Sequence, residues 1–233
     1  MKKNTLFVLV GLCLLPLFLK AQNNEYVVKK MFNLPVINVV DISCSGDNIY
    51  LNTYDSLFVV SKKGKIKDKK QTGYKQSVFL DSKRYTVENN VIRDESDNIV
   101  IDLTKKLEKE KKVMKYLAKS EGTFFTCVLD TPKVSYSSKI VQFNDDNNYF
   151  SFAYLVGIPS GLFSDGEFLW YLYNKSLEGE NGMLRKYEIN TGKLISEIEI
   201  PIKSPIGLHV EDKQVFTYSN FSGEFYQITI GGQ

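Results

Sequence analysis

Apolar residues along this chain recur in short runs of about four to eight, each bounded by Gly, Asn, Asp or Ser, and many runs alternate apolar with polar side chains. A period of two marks a strand with one covered face, and an unbroken apolar run this short fits a strand covered on both faces. The runs come in groups. Five hairpin openings share one design: "DISCSGDNIYLNT" from Asp41, "SVFLDSKRYTVEN" from Ser77, "YLAKSEGTFFTCV" from Tyr116, "GLFSDGEFLWYLY" from Gly161 and "GLHVEDKQVFTYS" from Gly207. Each joins a short aliphatic strand through a tight polar turn to a strand richer in aromatic or β-branched residues.

The openings start 36 to 46 residues apart, close to the ~40 to 50 residues of one propeller blade, a four-stranded antiparallel sheet. The pattern predicts an all-β chain folded as a five-bladed β-propeller. Inner strands of a blade are covered by neighbours on both sides and tolerate consecutive apolar residues, as in "FLWYLY" from Phe168; outer strands turn polar, as in "KLISEIEI" from Lys193 and the lysine-loaded "GKIKDKKQ" from Gly64. The fifth group stops one strand short of a blade, while "EYVVKKMF" from Glu25 precedes the first group unassigned. Pairing that segment with Phe225 to Ile230 closes the ring with strands from both ends and leaves no open edge. One stretch has another period: Leu103, Leu107, Met114 and Leu117 stand at near-helical spacing, which predicts a short helix or crossing near Thr104 to Lys112 between the second and third groups.

The N-terminus belongs to a different problem. Lys2 and Lys3 precede an apolar run from Leu6 to Leu19 that closes on Lys20-Ala21, the order of a Sec-type signal peptide. The run is shorter than the ~20 residues a bilayer span needs. Residues 1–21 are therefore assigned to a signal peptide and 22–233 to a single domain, secreted across the inner membrane to the periplasm or beyond. The ending "KAQ" resembles signal peptides of the Bacteroidetes. Three of the 30 Lys and Arg leave with that segment, and the rest balance the 27 Asp and Glu. A neutral mature chain argues against nucleic acid or an acidic membrane surface as partner, since such binding needs surplus cations. Cys44 and Cys127 remain, both in apolar strands of different segments, and buried free thiols are expected.

The stretch "GLFSDGEFLWYLYNKSLEGENGMLRKYEINTGKLISEIEIP" followed by "GLHVEDKQVFTY" is similar to the bacterial and plant glutaminyl cyclotransferases, which are five-bladed propellers. The resemblance covers about residues 159 to 230. It implies the same fold and a site at the channel mouth, with two departures. Where the family carries Gly-Glu-Gly-Leu this chain has Pro205-Ile206-Gly207-Leu208, and where it carries Tyr-Glu-Ser-Thr this chain has Trp170-Tyr171-Leu172-Tyr173. Cyclisation of an N-terminal glutamine needs positioned acid and base groups, and an isoleucine and a tyrosine argue against that chemistry.

Other chemistry finds little footing. His209 is the only histidine; it lies in "GLHVED" on an inner strand, where a packed, hydrogen-bonded imidazole is expected. No Cys-x-x-Cys, phosphate loop or dinucleotide fingerprint occurs. In "DESDN", Asp94, Ser96 and Asn98 alternate as in a calcium loop, but Ile99 stands where glycine is required and Lys105 where the bidentate glutamate belongs. No cofactor and no metal are expected. Ligand sites of propellers gather on the face that carries the connections into each innermost strand and those joining second to third strands. The long joining loops are "DTPKVSYSS" from Asp130 and "NKSLEGENG" from Asn174, and unusual loop length suggests use. Tyr136, Tyr173 and Lys175 belong to or flank these loops, and Tyr74, Gln76 and Lys115 lead into inner strands; these six are the expected ligand-facing residues. The expected function is a binding or scaffold module for a peptide, glycan or protein partner. The competing expectation is an enzyme, either a divergent cyclotransferase or a lyase using Tyr and Lys at the channel mouth.

Overall fold

A computed structural model describes residues 26–36, 38–73, 76–80, 83–130, 138–143, 149–176 and 179–231, without the side chains at 76, 77 and 79. The first strand, β1 (Tyr26–Asn33), joins no neighbour in sequence. Blade 1 follows as β2 (Val39–Ser45), β3 (Asn48–Thr53), β4 (Ser56–Ser61) and β5 (Ile66–Gln71), and blade 2 as β6 (Gln76–Leu80), β7 (Lys83–Glu88), β8 (Val91–Arg93) and β9 (Ile99–Asp102). After the helix α1 (Thr104–Lys109) comes blade 3, with β10 (Lys112–Ser120), β11 (Thr123–Asp130), β12 (Lys139–Phe143) and β13 (Tyr149–Tyr154). Blade 4 comprises β14 (Ile158–Ser164), β15 (Phe168–Asn174), β16 (Asn181–Glu188) and β17 (Leu194–Lys203); blade 5 comprises β18 (Pro205–Glu211), β19 (Gln214–Ser219) and β20 (Glu224–Ile230). Each blade is an antiparallel sheet of four strands in sequence order, and β1 supplies the fourth strand of blade 5.

The expected closure is therefore present. Tyr26 lies opposite Ile230 and Asn33 opposite Glu224, with one bulge between Lys30 and Phe32. Three contacts pin the register. Phe32 stacks on Phe225 at 5.1 Å, Lys30 pairs with Glu224 at 2.7 Å, and the Tyr218 hydroxyl sits 2.6 Å from the carbonyls of both Leu34 and Val36. The row of rings continues inward from Phe225 to Phe216 at 6.1 Å and to the imidazole of His209 at 6.2 Å, crossing the sheet from rim to channel. Blade 1 packs on this row: a Cβ at Gly64 would lie 2.7 Å from the Phe32 ring.

The gradient from axis to rim also follows the sequence. In β15 Leu169, Tyr171 and Leu172 are fully buried, whereas all six residues of β5 are exposed; its lysines discourage pairing of that edge with another chain. Apolar clusters fill the seams between blades 2 and 3, 3 and 4, 4 and 5, and 5 and 1. Among the described residues no such cluster joins blades 1 and 2; alternation along β2 and β3 turns Ile42, Ile49 and Leu51 toward blade 5 and leaves Asp41, Ser43 and Asn52 on the other face. All three are buried, as is Thr86 on blade 2.

Near the axis the strands approach so closely that side chains are excluded. Gly207 has φ +70°, and a Cβ there would collide with the backbone nitrogen of Ile42 on β2. Helix α1 realises the expected crossing and buries Leu107 in the seam between blades 2 and 3. The "DESDN" segment is a turn in which the Asp94 carboxylate accepts from the amides of Ser96 and Asn98, each at 2.9 Å. Cys44 and Cys127 are free thiols.

Candidate functional site

Four of the five innermost strands carry a bulge near their start, between Val39 and Asp41, Lys115 and Leu117, Pro159 and Gly161, and Ile206 and His209. Counted back from the turn that ends each strand, the bulged residues Tyr116, Ser160 and Gly207 are equivalent, and in β2 the unpaired residue, Val40, stands one place earlier. A bulge adds one residue and re-aims the chain at a barrel or channel rim. Tyr116 adopts φ +58°, a left-handed conformation that is strained for a bulky side chain and persists only where the surroundings enforce it. The enforcement is visible. Thr126 on the neighbouring strand places its hydroxyl 2.7 Å from the Tyr116 carbonyl and 3.2 Å from that of Lys115, and Thr217 treats Gly207 and Ile206 the same way at 2.9 and 3.3 Å.

The start of β10 is clamped again from blade 2. Asn90 accepts from the Met114 amide at 2.8 Å and donates to the Lys112 carbonyl at 3.3 Å. This fixed strand carries Lys115 outward, and its exposed ammonium meets no partner among the described residues. It stands in the wall of a pocket of about 340 Å³ at the channel mouth. Starts of innermost strands supply Val39, Lys115, Tyr116 and Ile206, while the ends of second strands and the turns that follow them supply Tyr54, Glu88 and Asn220. Tyr54 is 59% exposed, so a phenol face is on offer beside an ammonium and a carboxylate. Asn220 is already spent on structure: its side chain accepts from the Val39 amide at 3.0 Å and donates to the Val39 carbonyl at 2.7 Å, stitching blade 5 to blade 1.

Tyr116 is not available as a base. Burial, reinforced by the nearby Asp41 carboxylate, pushes its phenol well above the ordinary 10, and its hydroxyl donates to the Pro159 carbonyl at 3.2 Å. Ile206, at the place where the resemblance puts a glutamate, lies in this wall. Tyr171, at the other such place, is fully buried and donates to the Val156 carbonyl at 3.0 Å. Neither can exchange a proton with a ligand at neutral pH. Among the described residues no three His, Cys, Asp or Glu side chains gather to hold a metal ion.

Of the six expected ligand-facing residues, Lys115 stands in the pocket wall. Gln76 begins β6, in the innermost strand of blade 2, with its side chain outside the described residues, and Tyr74 and Tyr136 lie outside them altogether. Tyr173 is buried between blades 3 and 4, its hydroxyl 3.2 Å from the Glu197 carboxylate, and burial lifts its phenol to about 12. Lys175 pairs with Glu199 at 2.8 Å on the outer part of blade 4. These two are not brought together with Lys115 at the pocket. Tyr54, Glu88 and Asn220 were missed because their turns are short. Their signal in the sequence is position alone, since each ends or follows the second strand of its group.

No family model and no curated protein matches the chain. Solved structures do. A luciferin-regenerating enzyme superposes with a TM-score of 0.53 at 10% identity, over 88% of this chain and 81% of that one. A gluconolactonase from Xanthomonas campestris gives 0.50 at 12% identity, over 79% and 69%. A protein of unknown function from Bacteroides caccae gives 0.50 at 8% identity, over 77% and 69%. The propeller fold is shared; identities this low carry nothing further. Among the described residues no helix is long and apolar enough to cross a membrane.

Proposed function

We propose that this chain is an exported binding module that holds a peptide, glycan or protein segment at the channel mouth, without chemistry of its own. The observation that carries the reading is the state of the pocket's polar groups. Lys115 stands there with no acid or base within hydrogen-bonding reach among the described residues, and Tyr116 is tied to a backbone carbonyl. General acid–base catalysis needs two such groups in register on a substrate. Binding needs less: the exposed ring of Tyr54 offers a stacking face, and Lys115 and Glu88 offer polar contacts around it. The export part of the proposal is supported by the charged and apolar order of residues 1–21.

Peptide and glycan arrays probed with the purified protein, followed by calorimetry on the hits, test this directly. Tyr54→Ala and Lys115→Ala are each expected to weaken a genuine hit by about tenfold, or ~1.4 kcal/mol, with folding unchanged. Turnover of a glutamine-terminated peptide or an aldonolactone by the wild-type protein, abolished by Lys115→Ala, would establish the enzymatic reading instead.

A further inference from the structure

Where the innermost strands of blades 4 and 5 end, on the face opposite the channel-mouth pocket, the seam between the two blades stays open. A second pocket of about 320 Å³ lies there and shares no wall residue with the first. Its floor is apolar: Trp170 and Val210 are 7% exposed and Leu184 1%. Two local devices shape it. Between β16 and β17, Lys186 lies opposite Ser196 and Tyr187 opposite Leu194, so Ile195 is an unpaired bulge residue, and it enters the wall together with Ser196. At the turn from β14 to β15 the Asp165 carboxylate accepts from the Trp170 indole at 2.7 Å and from the amides of Glu167 and Phe168 at 3.1 and 2.7 Å. The indole is thereby fixed, and Asp165 is spent on fixing it. A preformed, mostly apolar hollow with a few polar groups around it is the usual form of a small-molecule site.

The remaining polar groups are largely sorted by sign across the seam. Trp170, Lys186 and Ser196 form one cross-strand row running outward through blade 4. The half-buried Lys186 ammonium lies 3.5 Å from the centre of the Phe168 ring and 5.0 Å from that of Trp170, and it meets no carboxylate among the described residues. The rings hold this cation in place without cancelling its charge. Beside it the Ser196 hydroxyl, engaged by no other described group, is free to donate. Nearer the axis, Glu167 on the β14–β15 turn and Asp212 on the β18–β19 turn bring exposed carboxylates to the wall, neither in an ion pair among the described residues; Lys213 adds one cation on that side. An anion alone would leave the inner carboxylates unmet, and an amine alone would leave Lys186 unmet. A ligand carrying both signs on an apolar body complements the whole wall.

We propose that this seam pocket binds a small apolar amino acid as its zwitterion, the side chain lying on Trp170, Leu184 and Val210, the carboxylate accepting from Lys186 and Ser196, and the ammonium donating to Glu167 and Asp212. The site is separate from the channel mouth and stands or falls without it. Trp170, the only tryptophan of the chain, provides the probe. Its fluorescence is followed while the protein is titrated with L-leucine and, in parallel, with isocaproate and isoamylamine, which keep the hydrocarbon but lack the amine and the carboxylate respectively. A saturable response to leucine with a dissociation constant of about 1 mM, and responses about tenfold weaker to each analogue, are the expected result. Lys186→Gln is expected to weaken leucine about tenfold without weakening isoamylamine, and Glu167→Gln with Asp212→Asn to weaken leucine about tenfold without weakening isocaproate. Lys115→Ala, at the channel mouth, leaves the leucine response unchanged. Absence of a saturable leucine response in the wild-type protein, or a response of equal strength to either analogue, overturns the proposal whether or not the variants fold. So does a leucine response that is lost with Lys115→Ala and kept with Lys186→Gln.

Discussion

Blade 1 meets its two neighbours in opposite ways. Toward blade 5 it presents Ile42, Ile49, Leu51 and Val60, which close on the ring row of Phe216, Phe225 and Phe32; on the opposite face of β2 and β3 stand Asp41, Ser43 and Asn52, all buried. Apolar burial is non-directional and roughly proportional to area, so the first seam gains free energy over much of its surface. Buried polar groups contribute only where each finds its partner, and they penalise any misfit. Among the described residues the apolar weight of blade 1 thus lies on the seam made from both ends of the chain. A ring needs the strong joint where covalent continuity is missing.

The largest expected effect breaks the strong seam. Phe225→Ala removes the central ring of the row and should cost about 4 kcal/mol, read as a fall in the denaturant midpoint; an unchanged midpoint would mean that closure contributes little. Acid probes the channel end of the same seam. Burial holds His209 near 4, below its ordinary 6.5, so the folded ring stays neutral while the unfolded one takes a proton. Stability from this group is complete above pH 6.5 and lost as the pH falls toward 4, by about 3 kcal/mol. His209→Phe should flatten the thermal midpoint over that window. Glu224, held to about 2 chiefly by its hydrogen bond from Lys30, extends the loss below pH 4.5, by a smaller amount because solvent screens the pair.

Tyr218→Phe comes next, deleting the hydroxyl that the Leu34 and Val36 carbonyls share, at about 1 to 2 kcal/mol. The smallest effect has the opposite sign and sharpens the contrast. The Ser43 hydroxyl is buried on the polar face of β2 without a partner among the described residues, so Ser43→Ala should leave stability unchanged or raise it by up to about 1 kcal/mol. A clear loss on calorimetry would show that the seam engages this hydroxyl after all.

Much of this frame could be read from residue order. "EYVVKKMF" alternates and lacks a local partner, while the last group lacks a strand; those two deficits fit one another, and the pairing of Tyr26 with Ile230 follows. The polar face of β2 lies in "DISCS", where every second residue is hydrophilic, although the shared hairpin design makes it an aliphatic strand. Bulges were not legible. A one-residue insertion flips all later side chains to the other face, and nothing in "KVMKYLAKS" announces that Tyr116 absorbs it. Loop length pointed to the wide connections after Asp130 and Asn174, whereas the described pocket wall draws on short connections at or just after the second strands, with Tyr54, Glu88 and Asn220. Which turn borders a channel depends on how each sheet leans about the axis, a global property that local periodicity does not contain.

The antiparallel match of Tyr26 with Ile230 sets the start of β1 beside the end of β20. A few added residues could bridge Gly231 to Tyr26 as an ordinary hairpin, and the backbone could then be cut at a surface turn between other blades. Such rearranged chains would hold the same molecule with its beginning moved elsewhere.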